Sequence, residues 1–190
     1  MKRRIVTIGC ALAMAFAAAV GAGPVRADID LMAEPAVIEA VRANDVEQVR
    51  AVLTRGESPH ALAATRETAL LIAVGNANPA IVESLLRHGA QPGLGDALGN
   101  TPLHRAAEVG HAGIARTLIE AGAAVDATND QGLTPLMVAA RQGNTQVVQA
   151  LIDAGADLER LDYTGRSALD WAETGRGNAA AGVLRNAGAQ

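Results

Sequence analysis

Thr101-Pro102-Leu103-His104-Arg105-Ala106-Ala107 is the stretch on which the reading of this chain turns. A threonine hydroxyl can cap a helix N-terminus. A proline at the first helical position gives up an N–H that would have had no partner there. Leu103, Ala106 and Ala107 then form an apolar face at helical spacing. Gly110 can take the left-handed conformation that stops such a helix. Ile114, Ala115, Leu118 and Ile119 make the face of a second, antiparallel helix that ends at Gly122. Asp126 to Gly132 is rich in turn residues and reads as a β-hairpin finger leading to Thr134.

Outward from this stretch, one period governs the chain. Thr68, Thr101, Thr134 and Ser167 are each 33 residues apart, as are Leu70, Leu103, Leu136 and Leu169. Ala40, Ala73, Ala106, Ala139 and Ala172 keep the same register, and so do Gly56, Gly89, Gly122, Gly155 and Gly188. Each unit is too small to bury its own apolar face. Stability must therefore come from stacking one unit on the next.

With Thr134-Pro135-Leu136-Met137-Val138-Ala139-Ala140 repeating the first stretch, the pattern resembles the T-P-L-H-x-A-A signature of the ankyrin-repeat family. Leu118 to Ala123 and Leu151 to Ala156 resemble the close of that family's unit. The resemblance covers residues 33–190. It implies an all-α fold, an ankyrin-repeat solenoid of about five helix-turn-helix units with short β-hairpin loops. The units fall at about 33–66, 67–99, 100–132, 133–165 and 166–190.

The ends depart from the pattern. The first unit has helical runs in Val37 to Val41 and Val46 to Leu53 but no T-P-L-H. Its connection carries Arg66 where later units have Gly99, Gly132 and Gly165. That predicts an irregular first finger. The last unit places Arg185 at an otherwise apolar helix position and adds Gly177 and Gly182. Polar end units are what a stack needs to meet water.

Residues 1–27 read as a secretory signal peptide, which leaves 28–190 as the mature domain. Lys2, Arg3 and Arg4 precede an apolar run to Val20, and Val25-Arg26-Ala27 offers a cleavage site. The run is shorter than a membrane span wants. The expected location is the periplasm, with secretion as the alternative. Arg3-Arg4 leaves both general and twin-arginine export open. Cys10 is the sole cysteine and lies in the apolar run, so the mature chain has no disulfide and no thiol nucleophile.

The chain has 16 basic and 20 acidic residues, a net charge of −4. Loss of Lys2, Arg3, Arg4 and Arg26 takes the mature domain to −8 and leaves it without lysine. Such a domain is a poor nucleic-acid binder, because phosphate neutralisation dominates that affinity. It is equally poor for anionic membranes. Its acidic body favours encounter with a basic partner.

No catalytic constellation is legible, and no cofactor or metal is expected. The four histidines are His60, His88, His104 and His111. In the resembling family the His104 position joins a hydrogen-bond network between units. His104 and His111 are separated by a turn, not by the one-face spacing of a metal-binding helix. His88 suits a helix C-terminus. Asp96, Asp126, Glu159 and Asp162 recur in fingers, where such side chains accept backbone N–H bonds. Gly93-Leu94-Gly95 lacks the strand and lysine of a phosphate loop.

The resemblance implies binding through the finger tips and the adjoining ends of the first helices. The residues that fall there include Leu98, Asn100, Asp130, Gln131, Leu133, Tyr163 and Arg166 from the tips. Arg42, Glu108, Arg141 and Gln142 come from the helices. Trp171 is the lone tryptophan, and either joins a Tyr163–Arg141–Arg166 anchor or packs within the last unit. Leu98 and Leu133 are expected as exposed apolar tips.

These readings imply a monomeric, non-catalytic scaffold or accessory protein for another protein. Similar exported bacterial proteins suggest a partner among envelope or oxidant-defence enzymes such as catalases. An immunity-type inhibitor of a periplasmic toxin or enzyme is the first alternative. A hydrolase or metal-dependent enzyme is the second.

Overall fold

The computed structural model describes residues 34–175 and 178–189. The signal-peptide reading, Cys10 and Gly177 therefore lie outside the described residues. Among the described residues ten helices follow one another in five pairs: α1 (Ala36–Arg42) and α2 (Val46–Thr54), α3 (Ala69–Gly75) and α4 (Pro79–Arg87), α5 (Pro102–Val109) and α6 (Ala112–Glu120), α7 (Pro135–Gln142) and α8 (Thr145–Asp153), α9 (Ala168–Thr174) and α10 (Asn178–Asn186). First helices pack on first helices and second on second through the whole row. The result is a two-layer all-α solenoid.

The repeated residues set this geometry. Ala40, Ala73, Ala106, Ala139 and Ala172 are all fully buried in the first-helix layer. A methyl side chain there lets successive helices approach closely. Leu103 and Leu136 are also fully buried, and Ile114, Leu118, Val148 and Leu151 fill the space between the layers. Fully burying one such side chain is worth about 1.5–3 kcal/mol.

Short polar side chains start the helices. Thr68 accepts the N–H of Leu71, Thr134 that of Met137, and Ser167 that of Asp170. On the second helices Asp45 and Asn78 do the same, and His111 accepts from Ile114 through Nδ1 at 3.2 Å. Each first helix of the first four pairs is followed by a left-handed residue in one register. These are Asn44 (φ 55°), Ala77 (φ 53°), Gly110 (φ 80°) and Gly143 (φ 76°).

Among the described residues the fingers contain no strand, in contrast to the expected β-hairpins. They are tight loops closed by a pair of backbone bonds each: Ala63 N–H to Glu67, Asp96 to Asn100, Asn129 to Leu133 and Asp162 to Arg166, all at 2.9–3.1 Å, with the N–H groups of Arg66, Gly99, Gly132 and Gly165 donating back to Ala63, Asp96, Asn129 and Asp162 at 2.8–3.0 Å. The loops are too short for a ladder to propagate.

The expectation of an irregular first finger is overturned. Arg66 adopts φ 64°, the left-handed conformation that Gly99, Gly132 and Gly165 adopt in theirs. The loop closes as the others do, and an isolated β-bridge, Leu62 with Thr68, belongs to it. The turn thus forms at the expense of strain in a non-glycine residue.

Candidate concave binding face

The finger loops are held by their own side chains. Asp96 accepts the N–H groups of Leu98 and Asn100, both at 2.9 Å, and Asn129 those of Gln131 and Leu133. Asp162 accepts those of Thr164 and Arg166 at 2.7 and 3.0 Å. Neighbouring fingers are then tied together. Asp130 N–H donates to the Leu98 carbonyl at 3.1 Å and Tyr163 N–H to the Gln131 carbonyl at 3.3 Å. The Asn129 amide donates to the Asn100 amide oxygen at 2.8 Å.

His104 secures the same region from below. Its Nδ1 accepts the Thr101 N–H at 3.2 Å, and its Nε2 lies 2.9 Å from the Leu133 carbonyl of the next unit. An accepting Nδ1 makes Nε2–H the donor. Burial pushes the imidazole pKa below its usual value, against the Leu133 carbonyl and the Asp96 charge. His104 is therefore a neutral link between units.

These ties shape two hollows beside the fingers, on the side expected to be concave. The first, about 210 Å³, lies between the second and third fingers and α5 and α7. It gathers Leu98, Asn100, Glu108, Asp130, Gln131, Leu133 and Arg141. The second, about 270 Å³, gathers Gln131, Leu133, Tyr163, Arg166 and Trp171. Both are below the roughly 300–1,000 Å³ of ordinary small-molecule sites. They suit single side chains of a larger partner. A further hollow, lined by Leu62 and Leu94 among others, lies between the first and second fingers.

Ten of the twelve residues named from sequence thus fall in two adjoining hollows. Arg42 lies apart, in α1, paired with Glu34 at 2.6 Å. Gln142 is the last residue of α7 and lines neither hollow. Leu133 is corrected in one respect: it is only 3% exposed, whereas Leu98 is 65% and Tyr163 76% exposed. The chain turns inward at Leu133 to begin the next first helix, so the side chain forms the floor and not a tip.

Trp171 packs within the last unit and also lies beside the two arginines named with it. Its half-buried ring packs against the core. The Arg166 guanidinium carbon lies 3.9 Å from the ring centroid and that of Arg141 5.4 Å. The indole N–H donates to Asp162 at 3.0 Å. Burial raises the Asp162 pKa, but bonds from the Thr164 hydroxyl, the Arg166 and Thr164 N–H groups and this indole outweigh it and hold it at about 2. Asp162 is ionised and fixes the ring.

Two residues escaped the sequence reading. Arg105 spans from Glu67 at 3.3 Å to Glu108 at 3.1 Å. It occupies the variable position of T-P-L-H-x-A-A, where only its place beside Glu108 on one helix face gave any signal. Gly175 is the other. A Cβ there would run into the Arg141 carbonyl oxygen, so the end of α9 meets the end of α7 backbone to backbone.

Among the described residues no group of three or more His, Cys, Asp or Glu stands where it could hold a metal. No described helix is long and apolar enough to cross a membrane. A family model described as ankyrin repeats matches residues 37–129 and 121–190. No curated protein matches the chain.

Proposed function

The chain belongs to the ankyrin-repeat family, and from that premise we propose that it is a non-catalytic scaffold or accessory protein binding a partner protein through its concave face. Ankyrin repeats are generally protein–protein interaction modules. The observation that carries the reading is the contrast within the face. Leu98 and Tyr163 stand out into solvent, while their fingers are locked by Asx-turn bonds and by one another. Exposed apolar side chains on a rigid support lose little freedom on binding.

The location in this proposal is the bacterial periplasm, supported by the N-terminal sequence pattern. The protein acts there as a monomer, on an envelope or oxidant-defence enzyme. An immunity-type inhibitor would use the same face at higher affinity. Inhibition calls for a Kd of about nanomolar or tighter, whereas a scaffold works at about micromolar strength.

The test places a photo-crosslinker at Leu98 or Tyr163 of the full chain, with Gln149 of α8 as the control position. The expected result is one protein captured from both finger positions and not from Gln149, followed by a Kd measured with that protein purified. Equal capture at all three positions would remove the concave face as the interface.

A further inference from the structure

Five arginines stand on the first helices and finger turns; Arg66, in the first finger, has no carboxylate within 4.0 Å among the described residues, and the other four differ in one respect. Arg42 is neutralised by Glu34, and Arg105 by Glu67 and Glu108. Among the described residues Arg141 and Arg166 have no carboxylate within 4.0 Å. Both guanidinium groups instead lie over the Trp171 ring. Two guanidinium groups are thus left without a direct ion pair at the C-terminal end of the face, with Asp170 acting on Arg166 only from beyond ion-pair distance, in a chain whose net charge is −4.

The arrangement also leaves the right atoms free. The Arg166 Nε donates to the Thr164 hydroxyl at 3.0 Å, and its terminal nitrogens have no partner among the described residues. Among the described residues Arg141 makes only its ring contact. A guanidinium stacked on an indole keeps its edge N–H groups available in a fixed plane, which matches the two oxygens of a carboxylate. Trp171 cannot swing away, because Asp162 holds its indole N–H. Beside the pair, the Tyr163 ring rests against Gly132, whose Cα leaves no room for a side chain, and turns its other side to solvent.

We infer that this end of the face receives an acidic segment of the partner, its Asp or Glu carboxylates on Arg141 and Arg166 and an adjoining apolar side chain in the hollow beside Tyr163. The inference deepens the scaffold reading and rests on it. Carboxylates fit better than phosphates, because the ionised Asp162 and Asp170 stand close by and would oppose a dianion more strongly than a monoanion. The acidic remainder of the protein is screened beyond about 10 Å at 0.1 M salt. The contact is therefore local, and it weakens as salt is raised.

The test titrates the full chain with fluorescein-labelled ten-residue peptides of alternating Glu and Leu, and reads anisotropy. Matched peptides carry Gln, Lys or phosphoserine in place of Glu. The expected result is saturable binding of the Glu peptide only, weakened at least tenfold by Arg141→Gln and by Arg166→Gln. Arg141→Lys should recover part of the loss, and Arg116→Gln on α6 should leave binding unchanged. Unaltered thermal melting separates a lost contact from a lost fold. Equal binding of the Gln peptide, an equal loss with Arg116→Gln, or binding of the phosphoserine peptide alone would each overturn the inference. The crosslinked partner distinguishes the two proposals. If it is captured from Tyr163 and still binds the Arg141→Gln, Arg166→Gln double variant, the acidic segment falls and the scaffold reading stands.

Discussion

The repeat built on His104 and the repeat built on Met137 share a backbone and solve one problem in two ways. Both must satisfy the N–H of the capping threonine and join the next unit. His104 does so with a ring that accepts from Thr101 and reaches the Leu133 carbonyl. Met137 offers only a thioether, 3.4 Å from the Thr134 N–H, and makes no reach beyond its own unit. The Met137 repeat compensates in its finger. Asp162 replaces the neutral Asn129, and its charge collects two backbone N–H groups, a hydroxyl and the Trp171 indole. One unit is tied to its successor by a neutral ring under the finger. The other is tied by an anion within it.

The largest test of that difference is at the glycines that end the two fingers. Gly132 and Gly165 have nearly the same φ, 75° and 80°. A Cβ on Gly132 would lie 2.7 Å from the Tyr163 ring and 2.9 Å from its backbone nitrogen, whereas one on Gly165 meets nothing within 4 Å. Left-handed strain alone costs about 1 kcal/mol in alanine. Gly165→Ala should therefore lose about 1 kcal/mol and Gly132→Ala about 3 kcal/mol, the excess coming from displaced Tyr163. Urea unfolding of both variants measures it. Equal losses would mean that the fingers are not packed against each other.

Next in size is His104→Met, which writes the solution of one repeat into the other. The Leu133 carbonyl keeps the Asn129 N–H, so nothing is orphaned. The loss should be about 1.5 kcal/mol, the worth of a buried hydrogen bond and some packing. A smaller pH effect accompanies it. The His104 pKa in the folded protein lies below 6.5. The unfolded chain takes up the proton first, so the stability due to the neutral ring is complete above pH 6.5 and declines as pH falls from there through the folded value. Thermal melting between pH 7 and 5 should show this decline in the parent, reduced in His104→Met.

Most of this architecture was legible because the period is written in residues with one physical use each. Alanines mark close helix approach, and threonine and proline mark helix starts. The fingers were harder to read. Their turns tolerate several residue types, and Arg66 in a left-handed position carries no sequence mark, since only glycine or asparagine announces it. Leu133 misled for a related reason: one residue separates a finger tip from a helix entry, and the burial of that residue depends on the neighbouring unit. The pairing of Arg105 with Glu67 crosses 38 positions and exists only after stacking. Local pattern reported the units, and the contacts between units had to await the fold.

The smallest of the expected effects decides whether charge matters to the second solution. Asp162→Asn keeps the shape and one acceptor oxygen for the Thr164 and Arg166 N–H groups, as Asn129 does in the preceding finger; it removes the anion and sets an amide NH2 against the Trp171 indole N–H where Oδ2 accepted it. The Asp162 carboxyl titrates at about 2 in the folded protein against 3.8 unperturbed. Its contribution is therefore present above pH 3.8 and lost as pH falls from there through 2. Partial screening by solvent leaves about 1 kcal/mol of it at neutral pH. The variant should be less stable by that amount at pH 7 and lose less stability than the parent between pH 4 and 2, because Asp96 and Asp170 continue to titrate in both. Trp171 fluorescence during acid titration reports the site directly, since its indole N–H is bound to the titrating group. If parent and variant gave the same acid profile at that tryptophan, the Asp162 bonds would be matters of shape alone. The two repeats would then differ in residues and not in the physics that ties them to their neighbours.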